Sequence, residues 1–467
     1  MHPPPPPLSP SLHVPPLLSF LSSSPSPYHA VASCAALLDA AGFRELPEHA
    51  PFPPLLPAGL YYFTRDRTSL FAFAVGGAAV PSAPPSLRIA AAHSDSPNLR
   101  VKPASKLAHK LAGVEQLAVE PYGGGLWHTW FDRDLSVAGL AYVRDAETGE
   151  VTGRLVDVRE PVCSIPSLAI HLQTAEERKA FEYNKETHLV PVLGTDVAKT
   201  AEGDLHSPKL LELLAASLGV PAESISDLDL GLYDVCPPRA TGASGSLLAS
   251  ARLDNLFSCY TSVAGLINHV KSDAFGKDEG VACVALFDHE EVGSVSTVGA
   301  GGTLIKDAIA RVSRGVCRAS PPPDLAELTA LRSFVLSLDM AHAVHPNYAD
   351  KHNKEHAPKL NGGMVLKTNR NQRYASSAQS SFIMRDICRR AGLGRMQEFA
   401  VRNDCGCGST IGPVISANTG VRAVDVGAPM LAMHSVREVM GAEDVDRGVA
   451  LCEAFFRYFG ESDASLR

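Results

Sequence analysis

Five short segments set metal-seeking side chains at the edge of an apolar run: Ala91-Ala92-His93-Ser94-Asp95, Leu253-Asp254-Asn255, Phe287-Asp288-His289-Glu290-Glu291, Ser337-Leu338-Asp339-Met340 and Met433-His434-Ser435. One such segment carries little weight. Five, spread over most of the chain, describe a site that only a folded α/β protein could assemble. Imidazole mixed with carboxylate is a donor set for zinc, or for manganese or cobalt in its place. The adjacent Glu290-Glu291 is the sharpest signal, because one carboxylate can hold a metal while its neighbour stays free as a base.

Each segment also has a plainer reading. His93-Ser94-Asp95 reads as a ligand His93 whose second ring nitrogen is oriented by Asp95, or simply as a polar turn. Asp254 and Asn255 open a helical stretch and could serve as its N-cap, although a carboxylate there could also bridge two ions. A solvated loop could hold the charge cluster 288–291, but a metal site explains two adjacent Glu after an apolar run more economically. Asp339 is preferred to His342 and His345, which would stand three apart on one helical turn. A lone His such as His434 is more often a hydrogen-bonded core residue. No H-E-x-x-H and no G-x-S-x-G occurs, so neither a zinc helix of that kind nor a serine nucleophile elbow is available. Gly123-Gly124-Gly125 and Gly299-Ala300-Gly301-Gly302 lack the Lys-Ser/Thr that would follow in a phosphate loop.

Positioning these groups requires buried strands. Leu87 to Ala92 reads as a strand delivering His93 at its C-terminal end, where open α/β sheets place their sites. Val281 to Phe287 and Phe334 to Leu338 are continuous apolar runs, and Val421 to Val426 is strand-like; such runs suit a sheet buried on both faces. Ala30, Val31, Cys34, Leu37 and Leu38 recur at helical spacing before Gly42. The stretches from Asp254 to Val270 and from Val436 to Phe459 read as amphipathic helices. Between about Ser96 and Gly242 the texture changes to short alternating runs, with Asp145–Glu150 as a hairpin turn. The predicted organisation is a disordered Pro/Ser-rich extension over 1–27, an α/β catalytic domain in two parts over 28–95 and 243–467, and an inserted β-rich domain over 96–242.

Composition sets the outer bounds. The chain has 467 residues, with apolar and charged fractions of an ordinary globular protein. Its formal net charge of -8 argues against nucleic acid as the main partner. It also means that an acidic ligand must be drawn in by a local cation. No apolar run reaches the length needed to cross a bilayer. The ten cysteines form no regular framework, which suits a reducing compartment and a cytoplasmic location. The extension lacks both basic and acidic residues, so a divergent organellar leader stays open.

Several longer motifs go beyond chemistry. Ala92-His93-Ser94-Asp95-Ser96-Pro97, Tyr122-Gly123-Gly124-Gly125-Leu126-Trp127-His128-Thr129-Trp130, Arg252-Leu253-Asp254-Asn255, Asp288 to Ser294, Asp339-Met340-Ala341-His342 and Gln372-Arg373-Tyr374-Ala375 closely resemble the aspartyl aminopeptidase family. Gly408 to Pro413 and Met433-His434-Ser435 fit it too, in order, from about Tyr28 to Phe459. The resemblance implies a three-layer α/β/α zinc-peptidase domain interrupted by a β-rich oligomerisation domain, assembling as a tetrahedral dodecamer. It implies two Zn2+ ions bridged by Asp254, one completed by His93 and Asp339, the other by Glu291 and His434, with Mn2+ or Co2+ able to substitute. Glu290 would be the general base, and His171 would reach the active site of a neighbouring subunit. The substrates would be peptides with an N-terminal Asp or Glu, whose side chain needs a cation. Lys367 is the candidate, with Tyr374 and His345 beside it. The segment Asp404-Cys405-Gly406-Cys407 departs from the family pattern, which leaves any role for Cys405 open. Two other readings share the scaffold: a dinuclear zinc carboxypeptidase or deacylase, and a non-catalytic assembly or cargo protein.

Overall fold

The computed structural model describes residues 11–195 and 203–466. Among these residues the strands form three sheets of nine, six and five strands. At the centre of the largest lie four parallel strands in the order Val281–Phe287, Leu87–His93, Phe334–Leu338 and Arg422–Gly427. Antiparallel neighbours flank them, Ser69–Val75 on one side and Val365–Lys367 on the other.

The strands are apolar throughout because both faces are covered. Ala90, Ala92, Val284, Leu286, Leu336 and Leu338 face one core, shared with the helices Leu253–Lys271, Ala378–Ala391 and Asp444–Ala464. Ile89, Ala91, Cys283, Ala285, Phe287 and Val335 face the other, shared with the helices Leu304–Val316 and Ile411–Thr419. Successive residues thus alternate between two apolar layers. The result is the predicted three-layer α/β/α arrangement.

The six-stranded sheet is antiparallel and is built within residues 98–234. It has its own core around Trp127, Trp130, Leu135, Val137 and Leu232. The hairpin turn falls as expected, between the strands Leu135–Arg144 and Val151–Asp157. The five-stranded sheet draws on Arg239–Thr241, Leu247–Ser250, Ala341–His342, Pro429–Leu431 and Glu438–Gly441.

Three expectations need correction. Residues 11–27 are not a disordered extension. Val14–Ser22 forms a helix with Leu17, Phe20 and Leu21 buried in the main core, and Ser26 with Pro27 starts the next helix, Pro27–Ala40. The Pro/Ser composition masked a short apolar face. Residues 1–10 lie outside the described residues. The last helix begins at Asp444, since Glu438–Gly441 pairs as a strand with two neighbours. Finally, Ala341–His342 is a strand, so His342 and His345 do not share a helical turn.

Candidate metal centre

The parallel strands end on one edge of the sheet, and the chemistry gathers there. His93 closes its strand opposite Phe287, the residue before the Asp288–Glu291 cluster. Asp339 follows Leu338 directly. The ring of His93 is 1% exposed. Its Nδ1 lies 3.0 Å from the Asp95 carbonyl oxygen and 3.4 Å from the Asp95 carboxylate. A proton held there leaves the Nε2 lone pair facing the carboxylates. That Nε2 is 3.4 Å from Asp254 Oδ1 and 3.9 Å from both Glu290 Oε2 and Asp339 Oδ1.

His434 approaches Asp254 from the opposite side. Its Nε2 is 3.5 Å from Asp254 Oδ2 and 3.2 Å from Glu291 Oε1, while its Nδ1 lies 2.9 Å from the Gly124 carbonyl oxygen. Donor atoms converge in three groups, each within 4.8 Å; beside His93–Glu290–Glu291 stand two more, His93–Asp254–Asp339 and Asp254–Glu291–His434. These last two share Asp254, which offers one oxygen to each side. Asp254 Oδ1 and Glu291 Oε1 are buried with no hydrogen-bond partner, a costly state that a cation would relieve. The residues present fit two metal ions.

Charge crowding has the same sense. Burial first, then Asp339 and Glu291 against the opposing pull of His93, raises the Glu290 carboxyl to about 8. Burial and Asp254 raise Glu291 to about 7. Burial would lower His93 and His434, but the carboxylates around them hold both imidazoles above their ordinary value. Packed carboxylates favour protonation until a cation joins them.

Two supporting residues were missed by the sequence reading. Tyr122 donates its hydroxyl to Asp95 Oδ2 at 2.7 Å, and the same carboxylate accepts from the amides of Glu290 and Glu291, each at 3.1 Å. Asp95 thus fixes both His93 and the turn that carries the paired glutamates. Glu438 accepts from the Asp254 amide at 3.0 Å and the His434 amide at 2.7 Å, tying one residue from each side of the site. Burial lifts its carboxyl to about 8. Tyr122 stood inside a quoted motif, so a signal was there. Glu438 sat in what read as an amphipathic helix, and nothing local marked it.

The glycine motifs acquire mechanical roles. Gly123 has φ +75, and a Cβ there would come 3.1 Å from Glu291 Cβ. Thr410 donates to Asp425 Oδ1 at 2.6 Å, and a Cβ on Gly412 would meet the same carboxylate at 2.6 Å. The Gly408–Pro413 segment is therefore seated on the sheet.

Lys367 is not a surface lysine. It ends the strand Val365–Lys367 and is 3% exposed. Its Nζ donates to the carbonyls of Asp339 at 3.1 Å and Met340 at 2.9 Å, lies 3.9 Å from Asp339 Oδ2, and sits 4.8 Å from the Tyr374 ring centroid. Burial, then the Cys407 thiol, raises the Tyr374 phenol. His345 is elsewhere in its contacts: its amide donates to His352, and its ring packs on Tyr348 at 4.9 Å. It joins no donor group. His171 stands exposed in the single turn Ile170–Leu172 of the antiparallel domain and also joins none. Cys405 is exposed and Cys407 partly buried, and all ten cysteines are free thiols.

Four parallel strands that end at two donor groups sharing one carboxylate, with a second glutamate alongside, define a metal-dependent hydrolase. The family comparison points to the same class. Residues 20–456 match the model of the Aminopeptidase I zinc metalloprotease (M18) family, and the chain belongs to that family. An aspartyl aminopeptidase of Dictyostelium discoideum is 42% identical over 96% of each chain. Aspartyl aminopeptidase 4 of Saccharomyces cerevisiae is 40% identical over 96% of this chain and 95% of its own. Among solved structures, Ape4 in its complex with Nbr1 superposes with a TM-score of 0.92 at 37% identity, over 97% of this chain and 86% of that one. Chaetomium thermophilum mApe1 gives 0.86 at 33% identity, over 97% and 99%. The protein is a zinc metallo-aminopeptidase.

Proposed function

We propose that this aminopeptidase releases N-terminal Asp or Glu from peptides, using two zinc ions per subunit. The observation that carries the reading is the sharing of Asp254 between two donor groups with Glu290 beside them. His93, Asp254 and Asp339 would hold one ion, and Asp254, Glu291 and His434 the other. Bound there, zinc supplies Lewis acidity, lowering the pKa of water and polarising the scissile carbonyl; Mn2+ or Co2+ could substitute. Asp95 orients His93 and holds the amides of Glu290 and Glu291. Glu290, free of either ion, takes a proton from the attacking water and returns it to the leaving amine.

Specificity for an acidic side chain rests on Lys367. An ammonium has three N–H donors. Two are directed at the Asp339 and Met340 carbonyls; the third would go to a substrate carboxylate, which would share the ammonium with Asp339 Oδ2 at 3.9 Å. The Tyr374 ring supports the cation from one face. The names of the relatives support acidic substrates, and the solved dodecamer of S. cerevisiae mApe1, with a TM-score of 0.85 at 28% identity, supports a homo-dodecamer here. In such an assembly the antiparallel domain would make subunit contacts, and His171 would approach a neighbouring subunit's site to support the carbonyl oxygen as charge develops.

The test is a screen of Asp-, Glu-, Ala- and Leu-p-nitroanilides beside N-acyl amino acids, with zinc content measured on the same preparation. Two zinc per subunit and preferred cleavage of the Asp and Glu anilides are expected. Preference for N-acyl amino acids would move the protein to the carboxypeptidase or deacylase reading, and preference for Leu would remove Lys367 as the reader.

A further inference from the structure

The amino-terminal helix Val14–Ser22 packs against the helices Leu253–Lys271 and Asp444–Ala464. The His13 amide donates to Asp446 Oδ1 at 3.1 Å, and the His13 ring meets the Tyr260 hydroxyl at 3.1 Å. The other end of the helix leaves carbonyl groups short of helical donors. Arg252 reaches this end: Nη2 donates to the Leu21 carbonyl at 3.3 Å, and Nε to the carbonyl of Ser24, two residues past the helix, at 3.1 Å. The guanidinium also lies 5.6 Å from the Tyr233 ring centroid.

Arg252 stands two residues before Asp254, with left-handed dihedrals of φ 60 and ψ 26. A side chain with a Cβ keeps that conformation only where its surroundings over-determine it. The two carbonyl bonds and the ring contact supply that constraint. The left-handed turn sets the direction in which the chain enters Leu253 and Asp254. Beyond it, the Asp254 amide is held by Glu438 at 3.0 Å, and the Asp254 carbonyl accepts from Ser96 Oγ at 2.6 Å. A small cavity joins the two regions, lined by Pro25, Ser26, Pro27, Arg252, His434 and Glu438 among others. The amino-terminal turn therefore backs directly onto the site.

We propose that Arg252 is a positioning residue for the shared metal ligand, and that the amino-terminal helix acts on the metal centre through it. The proposal rests on the reading of Asp254 as the ligand common to both ions. A planar guanidinium can serve two carbonyls at once, which an ammonium cannot do with the same geometry. Loss of a group that orients a ligand costs about ten- to a hundredfold in metal affinity.

The experiment is a double-mutant cycle on the full chain. Zinc is removed and its affinity measured by competition with a chromophoric chelator, while circular dichroism follows the fold. Arg252→Met should weaken zinc binding about ten- to a hundredfold with the helical signal unchanged, and Arg252→Lys should fall between Arg252→Met and wild type. Phe20→Ala, or the milder Leu17→Val if the first does not fold, should weaken zinc in the wild-type background. Neither should weaken it further beside Arg252→Met. Additive losses, or wild-type affinity in Arg252→Met, overturn the proposal while leaving the zinc site intact. Full retention of both zinc ions by Asp254→Ala would instead remove the shared-ligand reading, and this proposal with it.

Discussion

Glu290 and Glu291 carry the same side chain at adjacent positions, yet the fold gives them different neighbours. Glu291 Oε1 lies 3.2 Å from His434 Nε2, whereas Glu290 Oε2 faces His93 at 3.9 Å. On the proposed reading Glu291 is the ligand and Glu290 the base. Glu290→Gln should keep its zinc, because the base is not needed to hold it, and lose at least about a hundredfold in kcat, because a carboxamide accepts no proton. Metal analysis beside kinetics checks both halves; near-normal turnover at full zinc content would exclude Glu290 as the base. Lys367→Ala should lower the ratio of kcat/KM for Asp- over Ala-p-nitroanilide by about ten- to a hundredfold, the worth of one charge-assisted hydrogen bond. An unchanged ratio would return Lys367 to a purely structural role, holding the Asp339 and Met340 carbonyls. The candidate donors stood out in the sequence as polar residues at the edges of apolar runs, and the resemblance to the family made a ligand set of them. Glu438 did not, because its work is to bind two amides that are far apart in sequence.

Elements meet at the site with little tolerance. The strand Arg422–Gly427 passes so close to the end of its neighbour that a Cβ on Gly427 would fall 1.8 Å from the Asp339 carbonyl oxygen. That oxygen also accepts from Lys367. Gly427→Ala should therefore displace Asp339, lowering zinc affinity and destabilising the sheet by about 1–3 kcal/mol, the usual range for overpacking. Chelator competition and denaturant unfolding measure the two effects, and an unchanged zinc affinity would show that the strand end can yield. At the opposite end of the sheet, Asp278 pairs with Arg88 and lies 3.1 Å from His269 Nε2. Burial alone would raise the Asp278 carboxyl, but Arg88 and His269 hold it well below the usual range. For His269 burial is itself the cause that lowers the imidazole. Both folded values lie below the unfolded ones, so the unfolded chain binds more protons. The stability from Asp278 is complete above about pH 4 and that from His269 above about pH 6.5, and each is lost as pH falls below those values. Asp278→Asn should flatten the decline in thermal midpoint below pH 4; a slope equal to wild type would place the acid sensitivity in other groups.

At the scale of the whole molecule, the antiparallel domain presents Leu168, Ile170, Leu172 and Phe181, each about half exposed or more. Four large apolar residues around His171 suit a surface that a second subunit covers. Light scattering should give a large homo-oligomer, and His171→Ala should assemble fully while turning over slowly. A fully active native monomer would end that reading. No helix among the described residues is long and apolar enough to cross a membrane.

Apolar runs of five to seven residues announced the central strands, and the polar residues beyond their ends announced a metal site, since both signals are local. The same locality explains what was misread. A Pro-rich start suggested disorder, yet Leu17, Phe20 and Leu21 needed only a facing surface, which the helices Leu253–Lys271 and Asp444–Ala464 provide. Val436 to Gly441 had helical spacing, yet two neighbouring strands claim its backbone. His345 lay close in sequence to Asp339, but its ring packs on Tyr348 and it joins no donor group. By itself the sequence marked five candidate segments and the buried strands through side-chain type and periodicity, while the ligand set among those segments came from the resemblance to the family. Only the tertiary structure decided that Asp254 lies between two donor groups, that Asp95 holds both glutamate amides, and that Lys367 is buried beside the site. Those relations depend on distances between strand ends, which are set by packing across the whole sheet.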